Sequence, residues 1–496
     1  SFKENAMTLG RLLIVAAAII VVASCGSMLT DSRHAYFSPG QLATASSLRD
    51  AALNGSQSYD LLEELVTVAP KRMAGSPGDV AARDWAIQKL EALGFDKVWV
   101  QEFQMQGWER VSADATVTSH GDLSLDITSL GKSVSTPDGG VTANIVHFAT
   151  FEDLRAADAS DVRGKIVFIS NRMERRRDGS GYGPANVARS LGHAETASKG
   201  GLAILIRSIG TDNHDAPHTG AMRFGQTGST VAEEAAAYVN AWGAPYGEYT
   251  VAAAAVSNAD ADVLQELLDS GDTVDVSLNI RNRNPGEITS YNIIGDITGA
   301  TRPDEIVITG GHIDAWDTGV GAMDDGMGIA ITMNAVSLIA GLPERPARTI
   351  RYVAFGAEEL GLIGAYAYAN EYGDDDHVFG IESDFGIGPV WRMTPAVSPE
   401  AIPVLEKIWG VLEPMGIGWE AEARGFPGPD MMPLVKNGMA GASLNGDGTR
   451  YFDLHHTAED TLDKIEAEDL SFNSAAYAAL LFLVAEYDGR FDGASK

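Results

Sequence analysis

Cysteine is almost absent from this sequence, and basic residues are scarce beside acidic ones. Cys25 is the only cysteine among 496 residues, so no intramolecular disulfide can form. Lysine and arginine together number 36 against 68 aspartates and glutamates, which gives a formal net charge of −32. Such an excess of negative charge argues against nucleic acid and anionic membranes as electrostatic partners. Hydrophobic residues make up 45% of the chain, which is enough for folded cores.

No apolar run reaches the length of about 20 residues that a membrane-spanning helix needs. The run that comes nearest covers residues 12–24, after Arg11 and before Cys25. A basic residue, a short apolar run and small residues are typical of a secretory signal, and VASC resembles a bacterial lipobox, whose cysteine is lipidated. Residues 1–25 are therefore predicted to be a signal segment with a lipobox; an ordinary buried cysteine on a hydrophobic helix is the alternative.

The signal segment predicts an exported protein. The expected location is the periplasmic face of a bacterial membrane, where a lipid on Cys25 would be the protein's only membrane contact. A soluble secreted or periplasmic form is the alternative.

The remaining sequence divides into a tether and two domains, for which 496 residues give room. Residues 26–58 are polar and are predicted to form the tether. Residues 59–110 open with a helical pattern and form the first part of a catalytic domain, which residues 287–492 complete. Residues 111–286 carry short strand-like runs and are predicted to be an inserted β-rich domain.

From about residue 288 the pattern is strand, loop and helix in repetition. The runs EIVITG, TIRYVAFG, HVFGIE and AGASLN predict strands, and helical patterns follow the first three. This alternation predicts an α/β fold, a three-layer sandwich with a mostly parallel central sheet. Helical patterns also occur within the inserted domain, one of them at residues 231–242.

The residues that follow the four predicted strands are rich in acids and histidines. They are His312, Asp314 and Asp324; Glu358 and Glu359; Asp384; and His455 and His456. Ligands of open α/β sheets gather at the carboxyl ends of the strands. Carboxylates and imidazoles without a thiolate suit a divalent metal, and zinc best. The set is too large for one ion, so it predicts two metals that share a bridging carboxylate.

The stretch HIDAWDTGVGAMDDG, residues 312–326, poses an electrostatic problem. It holds four aspartates and one histidine without any lysine or arginine. Crowded carboxylates repel each other, and some must stay protonated unless a cation is close. The predicted metal ions supply that missing positive charge.

Five motifs, in order, carry a resemblance to a known family. They are GGHIDAW, AMDDGMG, AFGAEELGLIGAYAYA, ESDFG and HHTAEDT. They resemble the zinc metallo-exopeptidases that include leucyl aminopeptidases, glutamate carboxypeptidase II and carboxypeptidase Q, the last most of all. The resemblance implies a zinc-peptidase-like sandwich, two Zn²⁺ per chain, and a short peptide or dipeptide as substrate. It leaves open whether cleavage starts at the amino or the carboxyl end, and whether the chain forms a homodimer.

The resemblance also implies which residues hold the zinc ions. His312 and Asp384 are expected to bind one ion, Glu359 and His456 the other, and Asp324 to bridge them. His456 is preferred to His455 because it begins the family pattern that continues to Thr461.

The remaining roles that the resemblance implies concern catalysis. Glu358 is the expected general base, and Asp314 is expected to orient His312. In this family the peptide bond that follows the bridging aspartate is often cis, and it corresponds here to Asp324–Asp325.

Other candidates stand on single motifs. Asp430 and Tyr451 are candidates for substrate contact, although Tyr451 fits a pocket wall or a core equally well. His214 and His218 suggest a further metal site, but ordinary polar loop residues are the simpler interpretation. The inserted domain resembles a protease-associated domain in VRGKIVFIS, KGGLAILIRS and PHTG.

Two other functions are compatible with the same motifs. One is a one-zinc amidohydrolase or cyclising acyltransferase on the same fold, which two metals per chain would exclude. The other is a non-catalytic receptor that has lost its ligands, which the complete ligand set argues against.

Overall fold

The computed structural model describes residues 36–224 and 250–492, and its strands form two eight-stranded sheets. The predicted lipobox at Cys25 and the predicted helix at residues 231–242 lie outside these residues. In chain order the strands are β1 (Lys97–Gln106), β2 (Glu109–Val117), β3 (Leu123–Leu125), β4 (Ile127–Ser129), β5 (Val141–Phe148), β6 (Ile166–Ile169), β7 (Ala203–Arg207), β8 (Ala252–Val256), β9 (Asp275–Arg283), β10 (Glu287–Ile297), β11 (Arg302–His312), β12 (Arg348–Phe355), β13 (Asp376–Glu382), β14 (Arg392–Ala396), β15 (Gly418–Trp419) and β16 (Gly441–Asn445).

Helices cover the sheets and connect the strands. In chain order, those described are α1 (Pro39–Asn54), α2 (Ser58–Val68), α3 (Pro77–Ala92), α4 (Phe151–Ala156), α5 (Ala159–Val162), α6 (Tyr182–Ser198), α7 (Asn258–Asp269), α8 (Met327–Ala340), α9 (Ile363–Tyr372), α10 (Ile402–Leu412), α11 (Met432–Lys436), α12 (Tyr451–Leu454) and α13 (Ala467–Glu486). Within the two described stretches, no helix is both long and apolar enough to cross a bilayer.

The central sheet has the order β1-β10-β12-β11-β13-β16-β14-β15. Strands β12, β11, β13 and β16 are parallel neighbours, whereas β1, β10 and β14 each pair antiparallel. The sheet is therefore mixed, which corrects the prediction of a mostly parallel one. At one edge the chain leaves the sheet through β1 and returns through β10 in the opposite direction, so these strands pair antiparallel; at the other side β14 runs opposite to β16.

The helices on the central sheet include one in the predicted tether. Ser38 caps α1 through a capping box with Gln41, and the helix packs on α13. Its buried side chains Ala45, Leu48 and Ala52 face the core. Part of the predicted tether is thus a packed helix, because three buried side chains and a complete cap stabilise it.

The second sheet lies between β1 and β10 in the chain and has the order β3-β2-β9-β5-β6-β7-β8-β4. Strands β5 to β8 are parallel and the other pairings are antiparallel. Every residue of β6, β7 and β8 is buried, as expected for parallel strands covered by helices on both faces. This part of the chain is a mixed α/β arrangement rather than the β-rich domain that the sequence predicts.

Candidate metal centre

The strand ends of the central sheet bring the predicted ligands together. Strand β11 ends at His312 and β13 ends two residues before Asp384. Glu358 and Glu359 follow β12, which lies beside β11. His456 follows α12, after β16. Parallel neighbours place their carboxyl ends at one edge, so residues distant in sequence meet there.

His312 faces two carboxylates. Its Nε2 lies 3.0 Å from Oδ1 of Asp324 and 3.4 Å from Oδ1 of Asp384. All three side chains are at least nine-tenths buried. The Nε2 atom of His312 thus has a carboxylate oxygen of each acid within 3.4 Å.

His456 makes the matching arrangement on the other side of Asp324. Its Nε2 lies 3.2 Å from Oδ2 of Asp324 and 3.0 Å from Oε2 of Glu359. The two oxygens of Asp324 therefore face different histidines. A carboxylate placed in this way can bridge two ions.

The site residues fit divalent cations by an observation independent of any motif. Oδ2 of Asp324 and Oε1 of Glu359 are buried and accept no hydrogen bond within the described residues, although His456 lies close to Asp324. Buried carboxylate oxygens without donors are costly. The ligand atoms of His312, Asp324 and Glu359 lie within 4.8 Å of one another. A cation would satisfy these oxygens.

Asp314 contacts His312 by a different route from the one expected. Its backbone carbonyl oxygen lies 2.9 Å from Nδ1 of His312, whereas its Oδ1 lies 3.8 Å away. The carboxylate instead accepts hydrogen bonds from the backbone N–H groups of Glu358, at 3.0 Å, and Glu359, at 3.3 Å. Because a carbonyl only accepts, Nδ1 of His312 carries the proton, and Nε2 is left to bind a metal. The Asp314 carboxylate holds the backbone of Glu358 and Glu359.

Burial and mutual repulsion shift the glutamate pKa values. Burial raises the pKa of Glu358 well above its ordinary value, and Glu359 reinforces this rise against the opposing charge of His312. Burial also raises the pKa of Glu359 to about 7, opposed by His456 and reinforced by Asp324. These directions hold for the side chains alone, and a bound cation would reverse them by favouring the carboxylates.

The loop at residues 312–326 is held by groups that sequence reasoning missed. The buried guanidinium of Arg72 donates to the carbonyls of Ile313, Val320 and Gly321 at 2.6, 2.5 and 2.6 Å. Arg72 opens the stretch RMAGSPGD, residues 72–79, whose local pattern does not indicate this contact. A second guanidinium, that of Arg110, pairs with Asp317 of the loop at 3.1 Å. The chain itself therefore supplies positive charge beside the loop, which corrects the expectation that metal ions supply all of it.

Two aspartates also hold the loop. Asp460 accepts hydrogen bonds from the backbone N–H groups of Met323 and Asp324 at 2.7 and 3.2 Å. Asp325, to which the motif assigns no role, accepts from the N–H groups of His312 and Gly328, both at 3.1 Å. The peptide bond between Asp324 and Asp325 is cis, as the resemblance implies.

The structure separates the two candidate substrate contacts. Tyr451 lines a cavity of about 670 Å³ that also contains Asp324, Glu358 and Asp384. Asp430 does not line that cavity: it is buried, and its backbone N–H donates to Oε2 of Glu382 at 2.9 Å. Residues of the second sheet's domain, among them Tyr182 and Arg189, also line the cavity.

Comparisons with known proteins agree with this arrangement. Residues 292–481 match the model of peptidase family M28. The crystal structure of a peptidase M28 precursor from Shewanella amazonensis SB2B is similar to this chain, with 40% sequence identity and a TM-score of 0.83. The match covers 91% of this chain and 98% of that one. Carboxypeptidase Q from Homo sapiens is 29% identical over 435 residues, which cover 87% of this chain and 86% of that protein.

A more distant structure shares the fold. BSAP, a zinc aminopeptidase from Bacillus subtilis, has a TM-score of 0.60 at 18% identity, with 86% of this chain and 94% of that one covered.

Proposed function

This chain belongs to peptidase family M28, and we propose that it is a two-zinc exopeptidase that hydrolyses short peptides or dipeptides. The observation that carries the proposal is the position of Asp324, whose two carboxylate oxygens face His312 and His456. Two-metal hydrolases use such a shared carboxylate between ions about 3.5–4 Å apart.

Each proposed zinc site uses one histidine and one further acid. His312 and Asp384 would hold one ion, Glu359 and His456 would hold the other, and Asp324 would be shared between them. When bound, the two ions supply a Lewis acid and make a water molecule acidic enough to attack a carbonyl at neutral pH. No cysteine is involved, which suits the imidazole and carboxylate set of a catalytic zinc site.

Glu358 is the proposed general base. Its side chain lines the cavity beside the ligand carboxylates, and the Asp314 carboxylate fixes its backbone. In this position it takes the proton of the attacking water and later passes it to the leaving amine. Its neighbour Glu359 faces His456, so the two adjacent glutamates have different roles.

The cavity suits a small substrate. Its volume of about 670 Å³ falls in the range of sites that enclose small molecules. Tyr451 is proposed to form part of the wall of this site. Asp430 is proposed to act indirectly, through its hydrogen bond to Glu382, which lines the cavity. The names of the similar proteins include both carboxypeptidase and aminopeptidase, so the end that is cleaved is a separate question for experiment.

The remaining proposals concern the second domain and the location of the protein. We propose that the inserted part is a protease-associated domain, because its residues line the same cavity as the proposed metal ligands. We also propose export and lipidation at Cys25. Replacement of Cys25 by alanine should release the protein from the membrane fraction; an unchanged membrane fraction would argue against the anchor.

A peptide panel tests the proposed function. Free, N-acetylated and C-amidated dipeptides are assayed with and without a strong chelator. Loss of cleavage on N-acetylation but not on C-amidation identifies an aminopeptidase, and the reverse identifies a carboxypeptidase. Loss on both modifications identifies a strict dipeptidase. Full activity in chelator would contradict the metal mechanism, and one zinc per chain without peptide cleavage would favour the amidohydrolase or acyltransferase alternative.

A further inference from the structure

Residues 211–219 of the inserted domain form a segment that binds the backbone around His455 and His456; we call it the 211–219 segment. The backbone N–H of Thr211 donates to the carbonyl of Phe452 at 3.0 Å. Nε2 of His214 donates to the carbonyl of Asp453 at 2.8 Å. The inserted domain is thus attached to the very stretch that precedes the predicted zinc ligand.

His218 continues this contact. Its Nδ1 donates to the carbonyl of His455 at 2.6 Å, and its Nε2 lies 2.6 Å from Oδ1 of Asp212. Asp212 and His218 side chains are both almost fully buried. A carboxylate that fixes an imidazole, which in turn fixes a backbone carbonyl, is a rigid connection.

Thr219 contacts His456 itself. Its backbone N–H donates to the carbonyl of His456 at 3.0 Å, and its carbonyl accepts from Nδ1 of His456 at 3.2 Å. Because a carbonyl only accepts, Nδ1 carries the proton and Nε2 is left to face Asp324 and Glu359. His456 also has a φ of +63°, a conformation that costs energy for a residue with a Cβ and persists only when its surroundings hold it.

The 211–219 segment is not itself arranged as a metal site. Asp212, His214 and His218 lie close enough together to suggest one. However, both ring nitrogens of His218 already contact protein acceptors. Nε2 of His214 donates to Asp453, and its Nδ1 accepts from the N–H of Ala216 at 3.2 Å. No ring nitrogen of the pair is left for a cation.

We propose that the 211–219 segment positions His456 for zinc binding, so that the inserted domain completes the metal centre through Thr219 and the Asp212–His218 pair. The inference rests on the proposed function, since it requires that His456 binds zinc. The three residues are positioning residues, because they act through His456 and the backbone around it and none of them is itself a proposed zinc ligand. Groups that orient a metal-binding histidine typically contribute about 10- to 100-fold to metal affinity.

The test measures zinc affinity of the full-length chain by competition with a chelator of known affinity. In His218→Ala, we expect one of the two ions to bind about 10- to 100-fold more weakly and the other to be unchanged. His218→Asn should recover much of this loss, because its amide N–H can still donate to the carbonyl of His455. Asp212→Asn should show a smaller loss, because the side chain of His218 and its contact with the carbonyl of His455 remain.

His193→Ala is the matched control. His193 is as deeply buried in the inserted domain and is also bonded at both nitrogens, to Thr250 and to the carbonyl of Arg223. This variant should lose stability but keep both zinc affinities. If His218→Ala does not fold, His218→Asn and Asp212→Asn decide, since both keep a polar side chain of similar shape.

The outcomes separate the two proposals. Two zinc ions bound with unchanged affinity in the folded His218 and Asp212 variants would overturn the positioning role alone. An equal loss of affinity in His193→Ala would overturn it too, because the effect would then be general destabilisation. Absence of zinc binding in the unmodified chain would overturn both this inference and the proposed function.

Discussion

The carboxylate of Asp460 accepts a hydrogen bond from the backbone N–H of Asp324, with 3.2 Å between Oδ2 and N. It accepts a second one from Met323. The motif that supplies His456 therefore also fixes the loop that supplies the proposed bridging acid. Two ligands from opposite ends of the catalytic domain are positioned by one short stretch of chain, which gives the centre its fixed geometry.

Replacement of Asp324 should remove metal. Asp324→Ala takes away the carboxylate that faces both His312 and His456, so we expect the purified protein to hold well below two zinc ions per chain. Elemental analysis measures this directly. Asp317→Ala is the matched control in the same loop, because Asp317 pairs with Arg110 at 3.1 Å instead. A full zinc content in Asp324→Ala would contradict the bridging role.

Replacement of Glu358 should separate binding from chemistry. Glu358→Gln keeps the shape of the side chain but cannot accept the proton of the attacking water, so kcat should fall by about 10²- to 10⁴-fold. Both zinc ions should stay bound. The exposed Glu344→Gln should leave both quantities unchanged. Normal turnover in Glu358→Gln would remove Glu358 from the mechanism.

Replacement of Arg72 should destabilise the fold through the loop. Arg72→Met leaves three backbone carbonyls without their donor and removes a buried cation close to several acids, at a cost of about 3 to 5 kcal/mol. Urea denaturation measures the free energy of unfolding. The exposed Arg155, which pairs with Glu152, is the control, and Arg155→Met should cost less than about 1 kcal/mol. Equal effects of the two variants would show that Arg72 is not needed by the loop.

A histidine far from the metal centre should make stability depend on pH. Burial, reinforced by the charge of Arg351, lowers the pKa of His377 to about 4. As the pH falls from about 6.5 to 4, the unfolded chain gains a proton that the folded chain refuses, so stability is lost over this window. The loss from this residue is about 3 kcal/mol.

His377→Gln tests this pH dependence. The amide keeps an acceptor for the hydroxyl of Tyr368, which lies 2.9 Å from Nε2 of His377. The variant should lose less stability than the unmodified chain between pH 6.5 and 4. Comparing the two proteins cancels the effect of zinc release, which both undergo. Parallel curves of unfolding free energy against pH would refute the assignment.

The strand ends were predictable from sequence because their geometry is local. Buried strands followed by imidazole or carboxylate side chains, as in EIVITG before His312 and TIRYVAFG before Glu358, predict a common site. That prediction uses only the rule that parallel strands end at one edge of the sheet. The helix that follows TIRYVAFG begins only at Ile363, and the Asp314 carboxylate binds the two glutamate N–H groups before that helix.

Contacts that depend on long-range packing were not predictable. Arg72 meets the loop at Ile313 across 241 positions, and His456 meets Thr219 across 237. No periodicity or local motif encodes either approach. The antiparallel pairings of β1 and β10 have the same origin, since β10 returns to the sheet only after the whole inserted part of the chain. In contrast, helix α1 could have been found from its capping box of Ser38 and Gln41.

The most direct measurement is a zinc titration of the metal-free, full-length chain, with zinc content and dipeptide turnover followed in the same samples. We expect turnover to develop as the content approaches two zinc ions per chain, to vanish in strong chelator and to return when zinc is restored. Full turnover in a sample that holds no metal would contradict it.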